Sequence, residues 1–246
     1  MSVAFVRPGP TILATVAHEL RGPLTAMEMA SDLLDRDFEL LDPKQVRSMI
    51  SSIHRRALSL RGLAENLLCA ATISDGNLSI QRSPVDLREV VDEVAALLQP
   101  MLQRKAQRLR VRSSVVPLVS VDARRLTQVV LNLVSNAHKY SPPGTTILVA
   151  LGTRDHCVRV TVADRGSGVP EAVTGRLFEP YYRAGRVDGD GVGIGLSIVR
   201  SIVDAHGGTV GFANRRRGGA AFFVELPQVD LVPTSGADKT EIARVA

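Results

Sequence analysis

Hydrophobic side chains recur at alternating steps of three and four residues along the first third of the chain. The first series is Leu13, Val16, Leu20, Leu24, Met27, Ser31 and Leu34, in which only the serine is polar. The second series is Val46, Ile50, Ile53, Ala57, Leu60, Ala64, Leu67 and Ala71. This spacing is typical of helices that pack along a coiled-coil-like face, and Asp42-Pro43 between the series favours a new helix start. We predict a hairpin of two long helices over residues 11–73, preceded by a lead-in at residues 1–10.

An isolated hairpin of this kind leaves half of each apolar face in water. Pairing two hairpins into a four-helix bundle would cover those faces, because each hairpin supplies two of the four helices. The pattern therefore predicts a homodimer.

The hydrophobic pattern changes after a turn-rich linker at residues 74–83. Strands are predicted at residues 78–80, 108–116, 117–119, 146–153, 157–164, 209–214 and 220–226. Helices are predicted from Asp86 to about residue 103, from the cap Asp122 to residue 138, and from Gly195 to about residue 206. Residues 84–228 are thus predicted to form a mixed sheet with helices on one face, an α/β sandwich, followed by a disordered tail at residues 229–246.

Composition narrows the class of protein. Apolar residues make up 45% of the 246 residues, so the chain can bury a core. No apolar run approaches the ~18 residues needed to span a bilayer, and the start lacks a signal-peptide pattern. The cysteines, Cys69 and Cys157, match no metal or redox spacing and are expected as packed small hydrophobes in a reducing compartment. We expect a cytoplasmic protein, or the cytoplasmic part of a longer membrane-bound chain.

The net charge of +5 is concentrated in two basic patches, at residues 104–112 and 215–217. Solvated surface and an anionic partner explain such patches about equally well. Neither patch has the interleaved aromatic residues on which bases stack. We therefore expect no nucleic-acid binding.

The first candidate for chemistry is His18-Glu19 in the first helix. His18 lies two positions after Val16, off the apolar series, and should face solvent. A neutral imidazole beside a carboxylate pairs a nucleophile with a base. Pro23 cannot donate a backbone hydrogen bond to the carbonyl of Glu19, so a kink is expected just after His18. That kink is either a hinge or a static bend.

Two asparagines, Asn132 and Asn136, are four residues apart and therefore project from one helix face. Amide oxygens suit Mg²⁺, which prefers hard ligands and keeps much of its hydration shell. Asparagine is a poor residue for a helix interior, so the pair calls for an explanation. Taken alone, chance or capping explains it as well as a metal does.

Glycine-rich segments follow in the second half of the chain. Asp164-Arg165-Gly166-Ser167-Gly168 comes directly after a predicted strand, where the carboxylate could accept from an exocyclic amine. A plain Asp-x-Gly-x-Gly turn is the alternative. Gly191 to Gly195 precedes a predicted helix, whose first N–H groups could bind phosphate oxygens. The segment matches neither a P-loop nor a dinucleotide fingerprint.

Five motifs in this order resemble those of bacterial two-component sensor histidine kinases, over residues 11–228. Residues 18–24 resemble the H-box of that family, and residues 132–140 its N-box. Residues 164–168 and 191–195 resemble the two glycine boxes, and residues 178–183 the F-box. Each motif alone is weak to moderate evidence, but the five together are specific.

The resemblance implies a dimerisation and histidine-phosphotransfer hairpin followed by a GHKL-type (Bergerat) ATP-binding domain. It implies that His18 is the phosphoacceptor, with Glu19 beside it, and that Asn132 and Asn136 hold Mg²⁺ on ATP. The partner would be the receiver domain of a response regulator, whose aspartate takes the phosphoryl group. The implied ATP-binding residues are Asn132, Asn136, Lys139, Tyr140, Asp164, Gly166, Gly168, Phe178, Arg183, Gly191, Gly193, Gly195 and Leu196.

Two positions depart from the family pattern. Gly22 stands four residues after the histidine, where the family often has Thr or Asn. In the family, that Thr or Asn serves dephosphorylation of the regulator. Because glycine has no side chain to orient a water, we expect weak or absent phosphatase activity by that route. Val192 replaces a common Thr or Ser and removes one possible phosphate contact.

Two other functions stay open. One is a dimeric, nucleotide-binding scaffold or inhibitor that no longer phosphorylates, against which the intact His18-Glu19 and asparagine pair argue. The other is a relative that phosphorylates serine on a protein, against which the hairpin carrying His18 argues.

Of the remaining histidines, His54 is expected on the surface of the bundle. His206 is expected at the C-terminal end of a helix, where a protonated imidazole is favourable.

Overall fold

The computed structural model describes residues 10–114, 117–182 and 192–228, with side chains from residue 14 onward. Helix α1 spans Pro10–Asp37 and helix α2 spans Pro43–Ser74, joined by a short 3-10 turn at Phe38–Leu40. The predicted hairpin is therefore present, and the two helices pack against each other. Helix α1 is continuous through Pro23, and the predicted kink after His18 stays a prediction.

The start of α2 follows from the local sequence. The side chain of Asp42 accepts from the backbone N–H groups of Lys44 and Gln45, and the Gln45 side chain accepts from the N–H of Asp42. This reciprocal pair is a capping box, and Pro43 occupies the first turn, where its missing N–H costs no hydrogen bond.

The rest of the described chain forms an α/β sandwich. Its helices are α3 (Leu87–Arg104), α4 (Ala123–Tyr140) and α5 (Gly195–Ala205). Its strands are β1 (Ser83–Val85), β2 (Arg108–Ser113), β3 (Val119–Val121), β4 (Thr146–Arg154), β5 (Cys157–Ala163), β6 (Thr209–Asn214) and β7 (Ala220–Pro227). The five-stranded sheet has the order β2-β4-β5-β7-β6, and β1 pairs with β3 separately. Only the β2–β4 pair of the larger sheet is parallel.

The core lies between the sheet and the three helices. Strands β4 and β5 alternate buried and half-buried residues, as expected for strands with one face in the core. Helix α4 buries one apolar side, composed of Leu126, Val129, Val130, Leu133, Val134 and Ala137, all at or below 4% exposure. The predicted mixed sheet with helices on one face is confirmed.

Two strand predictions before α4 were wrong. Residues 78–80 form no strand. Strand β3 pairs with Ser83–Val85 instead. The strand predicted at residues 117–119 begins only at Val119 and extends to Val121. The predicted lead-in before residue 10 and the tail at 229–246 lie outside the described residues.

The hairpin leaves large apolar side chains exposed. In the first helix Leu24 is 45% exposed, and in the second Ile50 is 55% exposed. Cys69 and Ala70, by contrast, are buried where the end of α2 meets the sandwich. The exposed apolar positions agree with the sequence argument that a second hairpin is needed to cover them.

Among the described residues, no helix is both long enough and apolar enough to cross a membrane.

His206 does not act as the protonated helix end that the sequence suggested. It is 2% exposed, and its Nδ1 donates to the carbonyl of Ile202 at 2.7 Å. Its Nε2 then accepts from the backbone N–H of Asp122 at 3.0 Å, which ties the end of α5 to the cap of α4. The bond that Nε2 accepts requires the neutral imidazole, and burial lowers the pKa of His206.

His206 is expected to make folding stability depend on pH. Because its pKa in the folded state lies below the unfolded value, its contribution is complete at neutral pH and falls as pH drops below about 6.5. His206→Gln should give a lower stability at pH 7.5 and a shallower loss of stability between pH 7.5 and pH 5. Urea denaturation across that range measures both.

The exposed His54 supplies a matched control, since His54→Gln should keep the native pH slope. The slope in His206→Gln should be reduced rather than abolished, because burial also lowers the pKa of His138. An unchanged slope in His206→Gln would contradict the assignment of the neutral, buried form.

Candidate functional site

Asp164 follows directly after β5 and is the buried carboxylate of the candidate site. It is 5% exposed, and its Oδ1 accepts from the backbone N–H groups of Gly166 at 2.7 Å and Ala220 at 3.1 Å. The first bond closes the turn after β5, and the second fastens it to the start of β7. Two backbone donors on one oxygen fix the orientation of the carboxylate.

Glycine is required on both sides of that turn. A Cβ on Gly166 would lie 2.5 Å from the carbonyl oxygen of Tyr140, and a Cβ on Gly219 would lie 2.3 Å from the carbonyl oxygen of Asp164. Gly219 also has a φ of +87°, in the left-handed region. The turn after β5 therefore packs backbone against backbone, both at the end of α4 and at the start of β7.

The rest of the first glycine segment is held by β6. Asn214 donates to the carbonyl of Val169 and accepts from its N–H, both at 2.8 Å. A Cβ on Gly168, whose φ is +79°, would lie 2.9 Å from the Asn214 side-chain oxygen. Phe178 is half-buried and reaches the same strand, with its ring centroid 6.5 Å from that of Phe212.

The polar side of α4 carries the predicted asparagine pair. Asn132 and Asn136 are both half-buried on successive turns. A Cβ on Gly195, the first residue of α5, would lie 3.2 Å from Asn132 Oδ1, so the amide lies against the start of that helix. Asn132 Nδ2 is buried and has no hydrogen-bond partner among the described residues. Such an atom is costly in a finished core and is typical of a site that binds something.

The C-terminal end of α4 carries Lys139 and the 55% exposed Tyr140, whose ring lies 5.2 Å from the Lys139 ammonium. This end is fixed by Gln107, which is 4% exposed. Its Nε2 donates to the carbonyls of Ser141 at 3.0 Å and Pro142 at 3.1 Å. Sequence reasoning missed this role of Gln107, since nothing local distinguishes a glutamine that precedes an edge strand.

Lys105 adds a positive charge at the same helix end. Its ammonium donates to the carbonyls of His138 at 3.0 Å and Lys139 at 3.3 Å, where a cation is favourable. His138 Nδ1 lies 2.6 Å from Gln107 Oε1, and burial, followed by the charge of Lys105, lowers the pKa of His138. From the sequence alone, Lys105 is only one of the positive charges in the basic patch at residues 104–112.

The second glycine segment leads into α5. Gly193 has a φ of +77°, and Gly195 begins the helix, with Leu196 half-buried against the core. Two predicted site residues, Arg183 and Gly191, lie outside the described residues.

His18 lies on the hairpin, apart from the residues above. Its side chain is exposed, as predicted, and that of Glu19 is half-buried. Val16 on α1 and Leu63 and Leu67 on α2 pack against the core of the sandwich. The hairpin that carries His18 therefore contacts the sandwich, and the contact is made mainly through α2.

The hairpin also contacts the asparagine pair directly. Asn66 of α2 donates from Nδ2 to Asn132 Oδ1 at 3.4 Å, and its own oxygen accepts from Gln128 Nε2 at 3.3 Å. Arg125, one turn earlier on α4, lies 3.5 Å from the sulfur of the buried Cys69. Burial raises the pKa of the Cys69 thiol. No local pattern in the sequence points to Asn66.

The chemistry of the donor set limits the kind of metal that the site could hold. Among the described residues, no group of three or more His, Cys, Asp or Glu side chains is placed to hold a metal ion. The amide oxygens of Asn132 and Asn136 are hard ligands, suited to Mg²⁺ when phosphate and water oxygens complete the shell. The partnerless Nδ2 of Asn132 fits an amide whose surroundings are completed by a bound group.

Two family models match the chain. The model for the His Kinase A (phospho-acceptor) domain matches residues 11–76. The model for the histidine kinase-, DNA gyrase B- and HSP90-like ATPase matches residues 121–230.

Curated relatives and solved structures point the same way. The sensor protein KdpD of Clostridium acetobutylicum is 32% identical over 220 residues, which is 88% of this chain but 24% of that protein. The mycobacterial sensor histidine kinase MprB is 30% identical, with a TM-score of 0.52 over 60% of this chain and 97% of that one. The chain thus spans about a quarter of the length of KdpD, but nearly all of the MprB structure.

Two further structures include both the helical and the α/β parts. Full-length ShkA in complex with AMPPNP is 30% identical, with a TM-score of 0.62 over 89% of this chain and 46% of that one. The histidine kinase ThkA in complex with the response regulator protein TrrA is 25% identical, with a TM-score of 0.60 over 89% of this chain and 62% of that one.

The glycine at position 166 tests the geometry of the turn after β5. Gly166→Ala should destabilise the chain by about 1–3 kcal/mol, because its Cβ overlaps the Tyr140 carbonyl oxygen. It should also weaken the bonds to Asp164 Oδ1, so that the Ala220 N–H exchanges faster with solvent. Thermal denaturation and hydrogen exchange measure these two effects.

Gly175→Ala is the matched control, since no atom lies within 4 Å of its added Cβ and its φ is not positive. It should leave both measurements close to native values. Equal behaviour of the two variants would show that the turn tolerates a side chain and that the described packing is wrong.

Proposed function

The chain belongs to the sensor histidine kinase family, and from that membership we propose that it is an ATP-dependent protein-histidine kinase. In this proposal it phosphorylates its own His18 and passes the phosphoryl group to an aspartate on the receiver domain of a response regulator. The observation that carries the proposal is the contact between the two parts. The hairpin bearing the exposed His18 packs against the sandwich and reaches Asn132 at the candidate site.

Each part of the candidate site has a role in this proposal. Asp164 is the acceptor for the exocyclic amine of adenine, because its carboxylate is buried and held in one orientation. The start of α5 offers N–H groups to phosphate oxygens, with Gly193 and Gly195 allowing a close approach. Lys139 supplies positive charge from the end of α4, where Gln107 and Lys105 hold the backbone in place.

Asn132 and Asn136 would hold Mg²⁺ through their side-chain oxygens. When bound, Mg²⁺ neutralises charge on the phosphates of ATP. The fit is supported by the chemistry of the two amides and by the partnerless Nδ2 of Asn132.

His18 is the nucleophile of the proposed reaction. A lone pair on one imidazole nitrogen attacks the γ-phosphorus as the bond from that phosphorus to the bridging oxygen breaks and ADP leaves. The other ring nitrogen then carries an acidic proton, which Glu19, the next residue in the chain, can accept or orient. The product is a phosphoimidazole, which is labile and suited to transfer onto a carboxylate.

A homodimer and the regulator partner belong to the same proposal. The exposed Leu24 and Ile50 lie on the apolar series that a second hairpin would cover. The ThkA structure contains a response regulator protein, which supports a regulator as the partner of this chain. Cytoplasmic location is likewise proposed, on the basis of the sequence.

Light scattering after size exclusion tests the dimer. The native chain should have twice the mass of one chain at micromolar concentration, and Ile50→Asp should shift it toward the monomer, because a charge would be buried in the bundle. Met29→Asp is the control. Met29 is 68% exposed and lies outside the apolar series, so its replacement should leave the dimer intact. A monomeric native chain would rule out this part of the proposal.

Labelling with γ-labelled ATP and Mg²⁺ tests the reaction. The chain should acquire label that is lost in acid and stable in alkali, and His18→Gln should lose it entirely because the nucleophile is gone. His54→Gln, which also removes an exposed histidine from the hairpin, should retain the label. Absence of any label would favour a nucleotide-binding scaffold, and acid-stable label would favour a serine kinase.

A further inference from the structure

A chain of hydrogen bonds connects the hairpin to the candidate metal ligand. Arg125 Nη1 lies 3.5 Å from Gln128 Oε1, Gln128 Nε2 lies 3.3 Å from Asn66 Oδ1, and Asn66 Nδ2 lies 3.4 Å from Asn132 Oδ1. Three of these residues are on α4, and only Asn66 is on α2. This series of hydrogen bonds therefore exists only while α2 is docked on α4.

Arg125 determines which atom donates and which accepts at each of these hydrogen bonds. A guanidinium donates hydrogen bonds and cannot accept them, so Gln128 must present its oxygen to Arg125 and its Nε2 to Asn66. Asn66 must then present its oxygen to Gln128 and its Nδ2 to Asn132. As a result, Asn132 accepts from α2 through Oδ1, and its Nδ2 is left buried without a partner among the described residues.

The atom held by α2 is the one that a metal needs. A magnesium ion binds an asparagine through Oδ1, which in the docked state faces Asn66 and the start of α5. The nitrogen, which cannot bind a cation, is the atom left over. A polar atom buried without a partner destabilises the docked state, so this arrangement is poised to change.

We propose that Asn66 is a positioning residue that holds the metal-binding oxygen of Asn132 while the hairpin is docked, so that hairpin docking and binding of Mg²⁺ with nucleotide oppose each other. This inference rests on the proposed function, in which Asn132 binds Mg²⁺. Because the coupling between two binding events is reciprocal, Mg²⁺ with nucleotide should loosen α2 from α4 to the same extent that docking weakens Mg²⁺-nucleotide binding. The hairpin that carries the phosphoacceptor would thereby be released when the nucleotide site is loaded.

The first test compares nucleotide affinity with and without Mg²⁺, using AMPPNP and the full chain. Asn66→Ala should bind AMPPNP about three- to tenfold more tightly than the native chain in Mg²⁺, the range expected from loss of one competing hydrogen bond. In EDTA the two should bind equally, which a general structural effect of the substitution would not produce. Asn77→Ala, the same change at an exposed position in the turn after α2, should match the native chain in both conditions.

The second test uses the buried thiol at the same contact and needs no change at Asn66. Cys69 is 3% exposed and belongs to the core of the sandwich, so a thiol reagent reaches it only when α2 separates from the sandwich. In a Cys157→Ser background, which leaves Cys69 as the one cysteine of the sequence, AMPPNP with Mg²⁺ should raise its labelling rate at least twofold. AMPPNP with EDTA should leave that rate unchanged.

The outcomes separate the two levels of inference. Mg²⁺-dependent AMPPNP binding that is the same in Asn66→Ala and the native chain would overturn the role of Asn66 alone. Labelling of Cys69 that is unchanged or slowed by AMPPNP with Mg²⁺ would overturn the opposition between hairpin docking and Mg²⁺-nucleotide binding. A native chain that binds no AMPPNP at all would overturn the proposed function, and the role of Asn66 with it.

Discussion

The position of α4 is the constraint on which the candidate site depends. Its apolar side is buried against the sheet, which leaves Asn132 and Asn136 half-buried beside it, with Asn132 facing α2 and the start of α5. Both ends are fastened by side chains from distant parts of the sequence. His206 accepts from the cap residue at the start, and Gln107 donates to carbonyls just beyond the end. A helix held at both ends cannot slide, so its polar side chains keep their depth in the site.

The same anchoring connects the two halves of the candidate nucleotide site. The carbonyl of Tyr140, at the end of α4, packs against Gly166, and Gly166 donates to Asp164. The carboxylate and the asparagine side of α4 are therefore separated by a few backbone contacts, none of which has room for a Cβ. A small displacement of α4 would therefore displace the carboxylate of Asp164, because closely packed backbone segments cannot move independently.

The sequence predicted most of this architecture because the strongest signals were local. The capping box at Asp42, the caps at Asp86 and Asp122, and the period of the hairpin each depend on residues within a few positions of one another. The strand at Ser83–Val85 was missed because it contains Pro84 and is defined by its pairing with β3. The local pattern could not show whether β3 pairs with residues 78–80 or with Ser83–Val85.

The candidate site divides in the same way. Asp164, the glycines and the asparagine pair were found because their spacing matches a family pattern. Gln107, Asn214 and Asn66 were not, since each acts on a residue at least 30 positions away and has an ordinary sequence neighbourhood. The charge of His206 was predicted wrongly for a related reason. The helix end favours a cation, but burial and the N–H of Asp122 favour the neutral ring, and both arise only when the chain is folded.

Burial of polar groups at the α2–α4 contact distinguishes it from an ordinary helix packing. Leu63 and Leu67 supply apolar area, which holds the hairpin against the core regardless of what occupies the site. Asn66 adds a bond that is worth little in net free energy, and Asn132 Nδ2 adds an unsatisfied donor that costs free energy. A purely structural contact would gain by replacing these amides with apolar side chains. Their presence makes the docked state weaker than its area allows, and that weakness fits the proposed opening of this contact when Mg²⁺ and nucleotide bind.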